Sequence, residues 1–207
     1  MDQFETVGTK NPKIIAVDSE AVLKYYLTRK DLSDYELFCQ FINKVKSTVR
    51  HDLRYTNYKS ELYKIGLDKC QFHHGINSEM APIEMHHGPI FSMFDICTIV
   101  TDHLLAEEKL VNSFIVANKV LIEHEKHHIQ LVMLCETCHE AAENGSIFVS
   151  FKQGFGQLEK FLKKYKKGVS KEHIGIIKEY LELSKTFSAA DNGIYEILDL
   201  VKKYVKK

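Results

Sequence analysis

The run Ile129-Gln-Leu-Val-Met-Leu134 passes without a break into Cys135-Glu-Thr-Cys138-His139-Glu140. The apolar run has strand length, and Cys135 to Glu143 reads as a helix stopped by Asn144-Gly145. Upstream, Pro82-Ile-Glu-Met-His86 reads as another short strand, ended by His87-Gly88-Pro89. Two strands followed by a helix make a compact finger. In such a finger a residue ending the first strand faces the first helical turn, so this order of elements directs His86 towards His139. The expected elements are strands over 83–87 and 129–134, paired antiparallel, and a helix over 136–143.

Nine of the eleven histidines lie between Cys70 and His139. Imidazoles of His86 and His139 brought together suit a divalent transition ion, and less readily Mg. A third histidine beside them, His87, has the ordinary titration range of a general base at neutral pH. Cys70-Gln-Phe-His73 and Cys135-Glu-Thr-Cys138 supply four ligands of the kinds that hold a tetrahedral structural zinc, with His74 an equal candidate for the fourth position. Five cysteines, no N-terminal apolar core of a signal peptide and no apolar run approaching the roughly 20 residues that span a bilayer point to a reducing, cytoplasmic setting without a membrane partner.

Ile83-Glu-Met-His86-His87 followed by Leu131-Val-Met-Leu-Cys135-Glu-Thr-Cys138-His139 resembles the HNH endonucleases of the His-Me finger group, over roughly residues 70–145. The resemblance implies that His87 is the general base and that His86 and His139 hold a catalytic Mg, Mn, Ni or Zn ion. Gln130 then stands at the position of the family's catalytic Asn, directly before Leu-Val. The gap from His87 to Cys135 is longer than in a compact finger and calls for an insertion of about two helices. Cys70-x-x-His73 replaces the family's upstream Cys-x-x-Cys. The wider segment from His86 to Asp95 is similar to HNH-like proteins encoded by tailed bacteriophages, which puts the chain in the host cytoplasm.

The rest of the chain reads as mostly helical. Ile14–Val17 has strand character, and Asp18 or Ser19 starts a helix to about Leu27. Asp31 or Ser33 caps a helix carrying Tyr35, Phe38, Phe41, Ile42 and Val45 at helical spacing, while residues 52–66 are ambiguous. One helix of the insertion holds Phe91 to Leu104 and the other spans about Asn112 to His124. Ile147, Val149 and Phe151 alternate as in a strand, and helical patterns continue over 157–167, 171–186 and 193–205. Cys39 and Cys97 fall on apolar stripes and read as core. His124, His127 and His128 trail a helix among Glu123, Glu125 and Lys126, which reads as a solvated C-terminus.

The expected fold is therefore α+β, predominantly helical, in three regions. These are an N-terminal helical region (1–69), a ββα-metal finger with a helical insertion (70–151) and a C-terminal helical region (152–207). Lys plus Arg and Asp plus Glu number 28 each, but the charge is uneven. Residues 1–151 carry 15 basic and 21 acidic groups, and residues 152–207 carry 13 Lys and 7 acids. Lys160, Lys163, Lys164, Lys166 and Lys167 are the candidates for contacting DNA phosphates. The function expected is metal-dependent hydrolysis of nucleic-acid phosphodiester bonds. The alternative is a catalytically inactive zinc module that binds DNA or docks in a larger phage or host complex.

Overall fold

The computed structural model describes residues 25–107 and 110–205. The strand expected over 14–17 and most of the helix expected after it lie outside the described residues. Within them, Tyr26–Thr28 forms strand β1 rather than the end of that helix, and it pairs antiparallel with β3 (Leu110–Asn112). Asp31–Ser33 makes a 3-10 turn, and Asp34, not Asp31 or Ser33, caps α1 (Tyr35–His51) by accepting from the backbone N–H of Leu37. The ambiguous stretch is α2 (Leu53–Lys64). The Asp52 carboxylate bonds to the backbone N–H of Arg54 and separates it from α1.

The finger lies where the residue order directs it. β2 (Ile83–His87) and β4 (Leu131–Cys135) pair antiparallel, with Ile83 opposite Cys135 and His87 opposite Leu131, and α5 (Glu136–Glu143) leaves β4 directly. Between the strands run α3 (Met93–Glu107), β3 and α4 (Ser113–Glu125), the expected helical insertion. After the finger come α6 (Leu158–Lys164), a 3-10 turn (Lys166–Gly168), α7 (Lys171–Thr186) and α8 (Asn192–Tyr204). The described residues are thus α+β and predominantly helical.

The strand expected over 146–151 is not formed. Residues 146–150 are irregular and Phe151–Gln153 is a 3-10 turn. The free edge of β4 is taken by other groups. Phe155 exchanges backbone hydrogen bonds with Leu131, and Gln71 donates its N–H to the Met133 carbonyl while its side chain accepts from the Met133 N–H. With those donors and acceptors satisfied, no ladder is left for 146–151 to join.

Two apolar clusters result. The larger draws on all three expected regions, through residues such as Phe41, Ile99 and Phe161. The smaller packs Tyr58 and Leu62 of α2, Cys70 and Val149 around β2 and β4. The functional candidates sit along the seam between α1, the finger and α4.

Candidate metal centres and the pocket beside them

Alternation along β2 decides what its two histidines can do. Successive side chains of a strand point to opposite faces. Ile83, Met85 and His87 are buried, while Glu84 and His86 are half-buried on the other face. α5 folds back over that second face, and its first turn brings His139 to His86, with ring centroids 5.1 Å apart. Glu143, one turn further along α5, completes a set whose ligand atoms all lie within 4.8 Å of one another. Nδ1 of His139 lies 2.6 Å from a Glu84 carboxylate oxygen, and Nε2 of that ring lies 3.6 Å from Glu143. A carboxylate behind a ligating imidazole fixes the orientation of the ring. Burial, and then the proximity of His139, holds His86 below the ordinary histidine range, so it offers a bare nitrogen at neutral pH.

Sequence reasoning missed Glu84 and Glu143, although both were legible. Glu84 shares a strand face with His86 by a spacing of two, and Glu143 shares a helix face with His139 by a spacing of four.

His87 is not placed as expected. Its ring is buried on the inner face and its Nε2 lies 2.9 Å from Nε2 of His124. Burial, then the neighbouring His124, drives it well below the ordinary histidine range, so the picture of an open imidazole with an ordinary titration does not hold. Tyr55 lies nearly parallel to His87 at 6.2 Å and edge-on to His124 at 5.4 Å. The end of α4 is only partly solvated: Glu125 and Lys126 are exposed and His127 and His128 half-buried. Glu123 and His124 are both fully buried, and the Glu123 carboxylate accepts from Lys164, His128 and Tyr165. Burial opposes the Glu123 charge, but Lys164 and His128 outweigh it and hold the carboxyl below its usual range.

His86, His87, His139 and Glu143 line one pocket of about 470 Å³, together with Lys46 and Arg50 of α1. Its cations therefore come from a helix the sequence offered only as core-forming. None of Lys160, Lys163, Lys164, Lys166 or Lys167 lines it. Lys163, Lys164 and Lys167 are ion-paired to Glu159, Glu123 and Glu107.

A second cluster lies on the other side of α5's first turn. The sulfurs of Cys70, Cys135 and Cys138 fall within 4.8 Å of one another. The imidazole of His73, expected as the fourth ligand, is not among them. Its ring is exposed, and His73 instead donates its backbone N–H to the Cys70 sulfur at 3.2 Å. Burial raises the Cys70 thiol, yet backbone N–H groups of Cys135, His73 and Phe72 outweigh it and hold the thiol below its ordinary value. Burial, together with the two neighbouring sulfurs, pushes Cys138 up to about 12. Three sulfurs gathered this closely fit a cation that would replace their protons.

Gln130 does not take the role expected of it. It points away from the pocket, with its Nε2 3.4 Å from the Phe151 carbonyl and its Oε1 buried without a partner. Its side chain packs against Gly154, and a Cβ added at Gly156 would lie 2.2 Å from the Ile129 carbonyl oxygen beside it. Cys97 is core, its thiol pushed up to about 12 by burial, and Cys39 is half-buried on α1.

The family model of the Bacteriophage G278-like virion proteins matches residues 2–207, and the chain belongs to that family. No curated protein and no solved structure matches it. Membership of the HNH endonucleases is thereby overturned. The likeness rested on a strand–strand–helix finger carrying two facing histidines, and a short local arrangement of that kind does not define a family across 207 residues. No described helix is long and apolar enough to cross a membrane.

Proposed function

We propose that this member of a bacteriophage virion-protein family holds a divalent cation on His86, His139 and Glu143 and hydrolyses phosphodiester bonds of nucleic acid there. The observation that carries this reading is the shared pocket. Two imidazoles and a carboxylate converge in it beside two cations, Lys46 and Arg50, and a buried neutral histidine, His87. Three ligands leave coordination positions open, as a catalytic site requires. Mg, Mn, Ni and Zn are the candidate ions, and the bound ion would stabilise the charge that develops on the phosphoryl and leaving oxygens. Arg50 and Lys46 would pair with phosphate oxygens and orient the backbone for attack. His87 would accept the proton of the attacking water.

The Cys70, Cys135 and Cys138 sulfurs would hold a structural zinc, tying the segment around Cys70 to the base of α5. Family membership supports a place in the phage particle, in contact with other phage proteins.

A second reading has its own support. Burial of His87 and the three-thiol cluster also suit a metal-stabilised module that docks in the virion without catalysis. Purified protein incubated with plasmid DNA and with single-stranded RNA, in Mg, Mn, Ni or Zn, separates the two. Cleavage that falls by about 10²-fold or more in His139→Ala supports the hydrolase. Wild-type protein that cleaves neither substrate with any ion, while retaining zinc by elemental analysis, supports the module.

A further inference from the structure

Resting on the hydrolase reading, we propose that His124 is a positioning residue: it fixes His87 as the Nε2–H tautomer and so makes Nδ1 of His87 the proton acceptor of the pocket. One hydrogen bond within α4 assigns the donors and acceptors, with no ion required. Nδ1 of His124 lies 2.8 Å from the Val120 carbonyl oxygen. A carbonyl oxygen only accepts, so this nitrogen must carry the proton. A neutral imidazole has a single N–H, and His124 is fully buried, so its Nε2 is left with a bare lone pair. That lone pair lies 2.9 Å from Nε2 of His87, which must therefore donate. Each nitrogen is then assigned by its neighbour, and the lone pair of His87 falls on Nδ1. His87 lines the pocket that holds His86, His139 and Glu143.

The ring of His124 is packed by two aromatic neighbours. Tyr55 and Tyr58 meet its ring edge-on at 5.4 and 5.6 Å, and Tyr58 directs its hydroxyl elsewhere, to Nδ1 of His127 at 3.2 Å. The preceding residue, Glu123, is tied to Lys164 and Tyr165 beyond the finger and to His128. A ring held in this way cannot turn to offer its other nitrogen, as a general base held ready for one proton requires. In the step it serves, an O–H bond of water breaks and its proton passes to Nδ1 of His87. The freed oxygen forms a bond to phosphorus, and the leaving oxygen departs with its bonding pair and is protonated by solvent.

The test reads the tautomers directly. Long-range ¹H–¹⁵N correlation spectra of the ¹⁵N-labelled full chain at neutral pH should show His124 with a protonated Nδ1 and a bare Nε2. That is the reverse of the form free neutral histidine favours. His87 should show a protonated Nε2 and a bare Nδ1. His124 protonated on Nε2, or His87 protonated on Nδ1, overturns the proposal whatever the enzyme does. His124→Phe, which keeps a ring but removes the acceptor, should lower kcat by about 10- to 100-fold with KM unchanged. His124→Gln, which restores an acceptor oxygen, should recover part of the loss. A folded His124→Phe protein of undiminished kcat would also overturn it. If wild-type protein cleaves nothing, the hydrolase reading falls, and the spectra still decide whether His124 sets the tautomer of His87.

Discussion

Two histidines joined by one peptide bond meet different chemistry because a strand turns its side chains alternately. His86 faces α5, where His139 and Glu143 converge on it; His87 faces α4, where His124 receives its N–H. The inner pair carries a consequence for stability. Burial pulls His124 down to about 4 in the folded protein, against about 6.5 for an unfolded histidine. The unfolded chain therefore binds more protons than the native state between those two values, and stability rises with pH across that window. Acidification from pH 7 to 4 should cost about 3 kcal/mol from this residue. Urea unfolding of wild type and His124→Gln across that range checks it, and the wild type should lose more on acidification. Parallel losses in the two proteins would show that His124 is not the group responsible.

At the scale of elements, short segments are held by close approach more than by length. The 3-10 turn Lys166–Gly168 presses onto α3, and a Cβ added at Gly168 would lie 1.8 Å from the Ile99 carbonyl oxygen. The atoms nearest that position belong to the main chain of α3, at Ile99 and His103, so no side chain fits there without moving backbone. Gly168→Ala should destabilise the fold by about 2 kcal/mol or more, read as a fall in the urea midpoint. Gly175→Ala is the matched control, because nothing lies within 4 Å of the added Cβ on α7, and there alanine should be neutral or slightly stabilising. Equal effects at the two positions would mean that the turn does not press on α3 in solution. The same competition for space and partners explains why 146–151 is not a strand. Its alternating apolar residues fit one, but Gln71 and Phe155 already occupy the edge it would need.

For the whole molecule, the informative charges are few and local. The chain is neutral overall and its C-terminal third is basic, yet Lys163, Lys164 and Lys167 are ion-paired within the fold. The cations that share a pocket with the histidines are Lys46 and Arg50, far away in sequence in the acidic two-thirds. If nucleic acid is bound at that pocket, Lys46→Ala with Arg50→Ala should flatten the log–log salt dependence of binding to duplex DNA by about 0.9 for each phosphate no longer neutralised. Replacing Lys163 and Lys167 by alanine should leave the slope unchanged. The opposite pattern, measured by fluorescence anisotropy at several salt concentrations, would move the nucleic-acid surface to the C-terminal helices.

Local order in the sequence determined much of the architecture. Hydrophobic period and turn residues placed α1, the two helices of the insertion, β2, β4, α5 and the C-terminal helices, because those elements depend on neighbours within a turn or a strand. The order of strand, strand and Cys-x-x-Cys-His helix also directed His86 towards His139, and the Cys-x-x-His and Cys-x-x-Cys spacings put Cys70 with Cys135 and Cys138. Tertiary structure decided the rest. Whether Gln130 reaches His87, and whether Lys164 and Lys167 find Glu123 and Glu107, depend on groups far apart in sequence. His124 shows the reason most plainly. On its own helix it reads as a solvated end, and it becomes buried and paired only because Tyr55 and Tyr58 of α2 and His87 of β2 pack against it.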